Sequence, residues 1–239
     1  MAHPIIFLWT VPRSVSTSFE RMMSERGDHA VLDEPFSRHY YFGPDRRSTR
    51  FTETMDDCSA DAMRDLIERT ARQRPVFVKD LAYQATGMLR PDRLARFHNC
   101  FLVRNPAATL HSLARHWPDF TDEETGWEAL GRAADVVQSL GQPLIVLEAE
   151  RLCADPRAVV ATWCKAMNLD YIEEALTWDA GMRPEWAPWE DWHSMTASAT
   201  GFQPLDEPPS PPLDDPHLSE AHRRALPVYD RLRAHALIP

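Results

Sequence analysis

No glycine stands between Met1 and Arg26, and the whole chain of 239 residues carries only 8. That absence excludes a Walker loop in the N-terminal stretch, because Gly-x-x-x-x-Gly-Lys-Ser/Thr relies on glycines to bring backbone amides onto a phosphate. Cysteine is scarce as well. The 4 residues Cys58, Cys100, Cys153 and Cys164 include no C-x-x-C pair, which reads as reduced structural thiols rather than a disulfide frame or a zinc site. The 10 histidines include no H-x-x-x-H pair, so no metal is predicted. Positive charge is in deficit: 26 Lys and Arg face 36 Asp and Glu, a formal net charge of −10, which argues against a nucleic-acid partner. No apolar run approaches bilayer-spanning length. The run after Met1 is too short for a signal peptide and leads into Pro12-Arg13, so no membrane insertion is expected and the predicted location is cytoplasmic.

What remains is an ordinary soluble composition, 44% hydrophobic and 26% charged, on a chain of a size that suits one domain spanning residues 1–239. Five stretches read as short buried strands: Ile5-Ile6-Phe7-Leu8-Trp9, His29 to Glu34, Pro75 to Leu81, Cys100 to Arg104, and Pro143 to Glu148. Helical patterns separate them, at Phe19 to Met23, Ser59 to Arg74, Pro91 to Phe97, Asn105 to Trp117 and Asp122 to Leu140. Asp155 to Met167 and a short stretch at 170–177 follow, and Leu218 to Leu237 closes the chain. Pro35 reads as a strand stop, Arg38 to Asp57 as an irregular surface loop, and Trp178 to Pro216 as a long, Trp- and Pro-rich connection draped over the core. Alternation of this kind predicts a three-layer α/β sandwich with a central, mostly parallel sheet of about five strands flanked by helices. Ligands of such sheets bind at the C-terminal strand ends. Arg13, Glu34, Lys79 and Arg104 all fall just past such ends.

The first exit is the most informative. After Pro12 come Arg13, Ser14, Val15, Ser16, Thr17 and Ser18, a fixed charge and a row of hydroxyls leading into a helix. Free amides at a helix N-terminus and the helix dipole favour an anion there. The same residues also suit a plain Ser/Thr-capped helix. A second pair, Arg104 at a strand end and Ser112 two turns into the next helix, has spacing that lets both face one edge; alone, it reads equally as a rim arginine and a surface serine.

Together, and in this order, the two segments resemble the donor-binding motifs of sulfotransferases that use PAPS (3′-phosphoadenosine 5′-phosphosulfate). Pro12-Arg13-Ser14-Val15-Ser16-Thr17-Ser18 is similar to their 5′-phosphosulfate loop, and Val103 to Leu113 is similar to their 3′-phosphate motif. Two departures stand out: Val15 replaces the loop's usual glycine, and Arg13 stands where lysine is common. The resemblance implies transfer of a sulfuryl group from PAPS to a hydroxyl or amine of a small-molecule acceptor, with PAP, the 3′,5′-bisphosphate, as product. It implies donor contacts from Arg13 and the loop through Ser18, and 3′-phosphate contacts from Arg104 and Ser112. Glu34, in Asp33-Glu34-Pro35, takes the position of the general base, with His111 and His98 as alternatives. Lys79 either touches the transferring sulfonate, orients the acceptor, or makes an ion pair in the surroundings of Asp80. Thr200 and Gly201, in Ser198-Ala199-Thr200-Gly201-Phe202, resemble the family's late loop over the nucleotide, or form a simple turn. Trp186, Trp189 and Trp192 either line the acceptor pocket, stack on adenine, or anchor their loop. Two further readings stay open: a P-loop nucleotide kinase or other phosphotransferase, and a nucleotide-binding protein without catalysis. A homo-oligomer is compatible with the sequence.

Overall fold

The computed structural model describes residues 3–211 and 214–239, apart from the side chains at positions 185, 187, 188, 190 and 191. Its centre is a five-stranded parallel sheet of β1 (Ile5–Thr10), β2 (Ala30–Asp33), β3 (Val76–Leu81), β4 (His98–Val103) and β5 (Ile145–Glu148), in the order β2-β3-β1-β4-β5. The chain enters at the central strand, moves out to one edge and returns to cross to the other. β1 is therefore flanked by both later halves: Thr10 lies level with Leu81 on β3 and with Leu102 on β4. That register brings the exits of β1 and β4 side by side. The register Asp33 to Lys79 does the same for β2 and β3.

Side-chain alternation divides the core between the two faces of the sheet. On one face Phe7, Trp9, Val78, Phe101 and Val146 pack against α2 (Pro35–Phe42), α3 (Ala60–Ala71), α6 (Trp127–Ser139) and α10 (Pro216–Arg233). On the other, Ile6, Leu8, Phe77, Cys100, Leu102 and Leu147 meet α1 (Ser16–Arg26), α7 (Ala149–Ala154) and α8 (Pro156–Met167) through Phe19, Met22, Leu152, Val160 and Trp163. Covering on both faces is why the strands read as unbroken apolar runs. α4 (Pro91–Leu94) precedes β4; α5 (Pro106–His116) follows it, capped by the Asn105 side chain on the Ala107 amide.

Several local expectations are corrected. Pro35 does not merely stop β2; it occupies the first turn of α2, so Arg38 to Phe42 is helical and the irregular part starts only beyond it. The expected helix over 122–140 is broken by Gly126 at φ 78, a left-handed value that leaves a 3₁₀ turn at Glu123–Thr125 before α6. Residues 170–177 hold a 3₁₀ turn, Glu173–Leu176, rather than an α-helix. The Trp-rich connection carries α9 (Glu190–Ser198). All four cysteines are buried and free, and burial pushes the Cys100 and Cys153 thiols up to about 12, which leaves them inert. No described helix is long and apolar enough to cross a membrane.

Candidate functional site

The strand exits open onto a cavity of about 900 Å³. Its floor is the β1–α1 loop. Arg13 sits at φ 64 and Val15 at φ 72, both left-handed. For a β-branched residue this is an outlier conformation, costing about 1–2 kcal/mol, and it is the backbone shape that glycine adopts freely. Valine thus reproduces the glycine turn under strain. As N-cap of α1, Val15 makes no side-chain cap bond, so no side-chain oxygen caps the first-turn amides; the Ser18 amide donates to the Val15 carbonyl at 3.1 Å.

The hydroxyls of the loop divide in function. Ser14 is wholly buried; its hydroxyl bonds the Val11 carbonyl at 2.8 Å and the Thr10 hydroxyl, which fastens the loop rather than presenting it to a ligand. Ser16, Thr17 and Ser18 line the cavity. α9 lies across them, with His193 Nδ1 3.3 Å from the Thr17 hydroxyl and the Thr196 hydroxyl 3.4 Å from Ser18.

Arginines gather opposite. Arg13 Nε donates to Ser112 Oγ at 2.9 Å, and its Nη1 donates to the Trp192 carbonyl at 3.1 Å. Arg104 donates to the Arg13 carbonyl at 3.0 Å. Arg115 lines the same wall. Burial, reinforced by Arg104 and Arg115, brings the Arg13 guanidinium down to about 10, still fully charged at neutral pH. Arg104 is also lowered, first by burial. Its Nε is buried without a hydrogen-bond partner. A desolvated guanidinium N–H of this kind costs free energy unless an anion meets it.

Glu34 lines the same cavity, at φ 41 as N-cap of α2. Its Oε1 is 2.7 Å from Lys79 Nζ, which also meets Asp33 Oδ1 at 2.5 Å. Lys79 is fully buried and lies outside the cavity lining, so it holds Glu34 from beneath. Asp80, next in β3, accepts from the Phe36 amide at 2.8 Å and so anchors the start of α2; burial, then the nearby Glu34, raises its carboxyl well above the usual range. Three of the left-handed non-glycine residues, Arg13, Val15 and Glu34, therefore border one cavity, the distribution expected where structure holds strain at a functional centre.

Other candidate positions resolve differently. Thr200 is exposed and Gly201 pairs with Thr177 in an isolated bridge; neither lines the cavity, whereas Ser198, Ala199 and the segment Gln203 to Glu207 do. His98 begins β4, at the N-terminal edge of the sheet and away from the strand exits. His111 lines the arginine wall. Trp186 is an anchor, wholly buried with its indole N–H on Glu20 Oε2 at 2.9 Å, while Trp189 and Trp192 line the cavity. Sequence reasoning missed His193. It is buried, and desolvation, with Lys79 and Arg13 adding to it against the pull of Glu34, pushes its imidazole down to about 4. A lone histidine in an aperiodic stretch carries no local sign of this placement.

The fold and site define an α/β protein with a parallel central sheet, whose strand exits bring arginines and a helix N-terminus to one cavity. The sulfotransferase domain matches residues 5–236, and the chain belongs to that family. The sulfotransferase domain of the Synechococcus PCC 7002 olefin synthase shares the fold at a TM-score of 0.52 and 15% identity, with 100% of this chain and 98% of that one covered. Among curated proteins the chain is similar to branched-chain-amino-acid aminotransferase-like proteins 1 and 2 of Arabidopsis thaliana. It is 31% and 29% identical to them over 98% and 97% of its own length. It spans only 43% and 42% of theirs.

Proposed function

We propose that the protein moves a sulfuryl group from PAPS to a hydroxyl of a small-molecule acceptor by in-line displacement, with Glu34 as general base. The observation that carries this reading is the unpartnered, buried Arg104 Nε in a wall shared with Arg13, Arg115 and Ser112. A nucleotide with phosphates at both its 3′ and 5′ positions supplies anions for that wall and for the α1 amides at once. The donor brings its own good leaving group, and the protein's task is positioning and charge stabilisation.

In this reading Arg104 and Ser112 hold the 3′-phosphate, and the amides of Ser16 and Thr17 with the hydroxyls of Ser16, Thr17 and Ser18 hold the 5′-phosphate. Arg13, bonded to Ser112 in the structure, lies between the two and stabilises negative charge on the bridging oxygen. Glu34 takes the acceptor's hydroxyl proton as the new oxygen–sulfur bond forms and the bond to the bridging oxygen breaks. Lys79 keeps the carboxylate aimed. His193, whose imidazole burial holds well below its ordinary value, borders the same space.

Transfer of labelled sulfate from PAPS to a metabolite extract tests the reading. The wild-type chain is expected to label an acceptor; Glu34→Gln is expected to bind PAP normally while turnover falls on the order of a hundredfold or more. Full activity in Glu34→Gln rules out the base. No transfer to any acceptor refutes the function.

A further inference from the structure

One end of the cavity is aromatic, and its lining bears on what it takes. Contacts run without a gap from the arginine wall into it: Arg13 lies over the Trp192 ring at 5.6 Å, Trp192 meets Trp117 at 4.6 Å, Trp117 meets Tyr41 at 5.9 Å, and Tyr41 meets Trp189 at 5.4 Å. Leu81 and Leu113 complete the apolar lining. These rings meet edge-to-face or tilted, at 73°, 71° and 58°, and such an aromatic lining suits a ring or another apolar body.

The polar groups at its end are few. Tyr41 and Tyr83 share one hydrogen bond between their hydroxyls, at 2.8 Å. Gln84 Nε2 donates to the Tyr83 hydroxyl at 3.3 Å. Two phenols joined by one bond leave one O–H proton over. Gln84 is 3% exposed and lines the cavity, and its Oε1 has no hydrogen-bond partner. An unpaired buried amide oxygen is an unfavourable feature unless a ligand supplies a donor. Glu34 lines the same cavity as both tyrosines and Gln84. The end therefore offers one acceptor, one donor and, beside them, a carboxylate.

Among the described residues, the two cations that flank this aromatic end, Arg50 and Lys79, are already paired with carboxylates. Arg50, stacked on Trp117 at 4.2 Å, is held by both oxygens of Glu124, at 2.7 and 2.8 Å, and by Asp119 at 2.9 Å. Lys79 is taken by Asp33 and Glu34.

We infer that Gln84 reads the acceptor: this end of the cavity takes an uncharged, ring-bearing molecule with two hydroxyls, one presented to Glu34 and the other donating to Gln84 Oε1 while accepting the spare tyrosine proton. This rests on the sulfuryl-transfer reading for the role of the first hydroxyl, while recognition of the second stands on Gln84 alone. A methyl ether at the second position leaves the amide oxygen unpaired. A carboxylate there meets Glu34 and an acceptor oxygen.

The test uses catechol, resorcinol and hydroquinone, their monomethyl ethers, and the corresponding hydroxybenzoates, with the wild-type chain and Gln84→Leu. Transfer is read as kcat/KM. Binding is read by calorimetry on the PAP-saturated protein. At least one diol is expected to exceed its own ether by roughly tenfold or more in wild type, mainly through KM, and to exceed its hydroxybenzoate by a similar factor. In Gln84→Leu the diol and its ether should converge to within about threefold. If Gln84→Leu does not fold, Gln84→Met carries the same expectation. Equal handling of every diol and ether by wild type, an undiminished preference in the variant, or a preference for hydroxybenzoates overturns the inference. If calorimetry separates diol from ether but no label moves, the functional reading fails and this one stands. If label moves without discrimination, the reverse holds.

Discussion

Replacing Lys79 by methionine removes a charge that the fold has enclosed between two carboxylates. Nζ lies 2.5 Å from Asp33 Oδ1 and 2.7 Å from Glu34 Oε1, with the lysine side chain 0% exposed and the two carboxylates 4% and 14% exposed. Lys79 is held protonated because Asp33 and Glu34 outweigh its burial. Methionine matches the stem in shape but leaves two negative charges facing each other out of water. Breaking a buried pair from one side costs about 3–5 kcal/mol, which for a domain of this size lowers the melting temperature by roughly 10 °C. The same principle predicts rescue: in Lys79→Met with Asp33→Asn and Glu34→Gln, no uncompensated charge remains, and most of the loss should return. Urea unfolding at pH 7 of the single and triple variants reads both effects as midpoint shifts at a constant slope. A single variant within about 0.5 kcal/mol of wild type, the range of ordinary surface changes, refutes the buried pair. A triple variant as unstable as the single one refutes the charge-imbalance argument.

Val15 and His193 give two further expectations. Val15 is held at φ 72, so Val15→Gly trades packing and chain entropy against released strain and should stay within about 1 kcal/mol of wild type, while Val15→Ala keeps the strain, loses packing, and should melt lower than the glycine variant; the reverse order of melting temperatures contradicts the strained turn. The imidazole of His193 is depressed from 6.5 to about 4, so the unfolded chain takes up a proton at a higher pH than the folded one, and the stability this group contributes is present above about pH 6.5 and is lost as pH falls through 4. Against wild type, His193→Gln should flatten stability across that window by up to about 3 kcal/mol; parallel pH profiles for the two proteins refute the burial of a neutral imidazole.

The sheet was legible because both its faces are covered, so each strand appears as an uninterrupted apolar run ending at a proline or a charge. The register then does what sequence cannot display directly: it sets Thr10 beside Leu102 and thereby Arg13 beside Arg104. Features that depend on a left-handed residue were not legible. Pro35 after an ordinary glutamate reads as a stop, and only with Glu34 at φ 41 does it become the first turn of a helix. Thr200 and Gly201 carry the right chemistry for a phosphate loop, yet the pairing of Gly201 with Thr177 turns them away and delivers Gln203 to Glu207 instead. His193 and Gln84 owe their surroundings wholly to long-range packing. Neither has a neighbour in sequence that signals it.

Recognition of a 3′-phosphate is where the account stands or falls, and calorimetric comparison of PAP with adenosine 5′-phosphate measures it directly. Wild type should prefer PAP by about tenfold or more, the worth of a charged hydrogen bond to a buried guanidinium. Arg104→Ala should erase that preference while leaving the affinity for adenosine 5′-phosphate nearly unchanged. Equal binding of the two nucleotides by wild type, or an equal loss for both in the variant, would contradict the assignment of this wall to the donor's second phosphate.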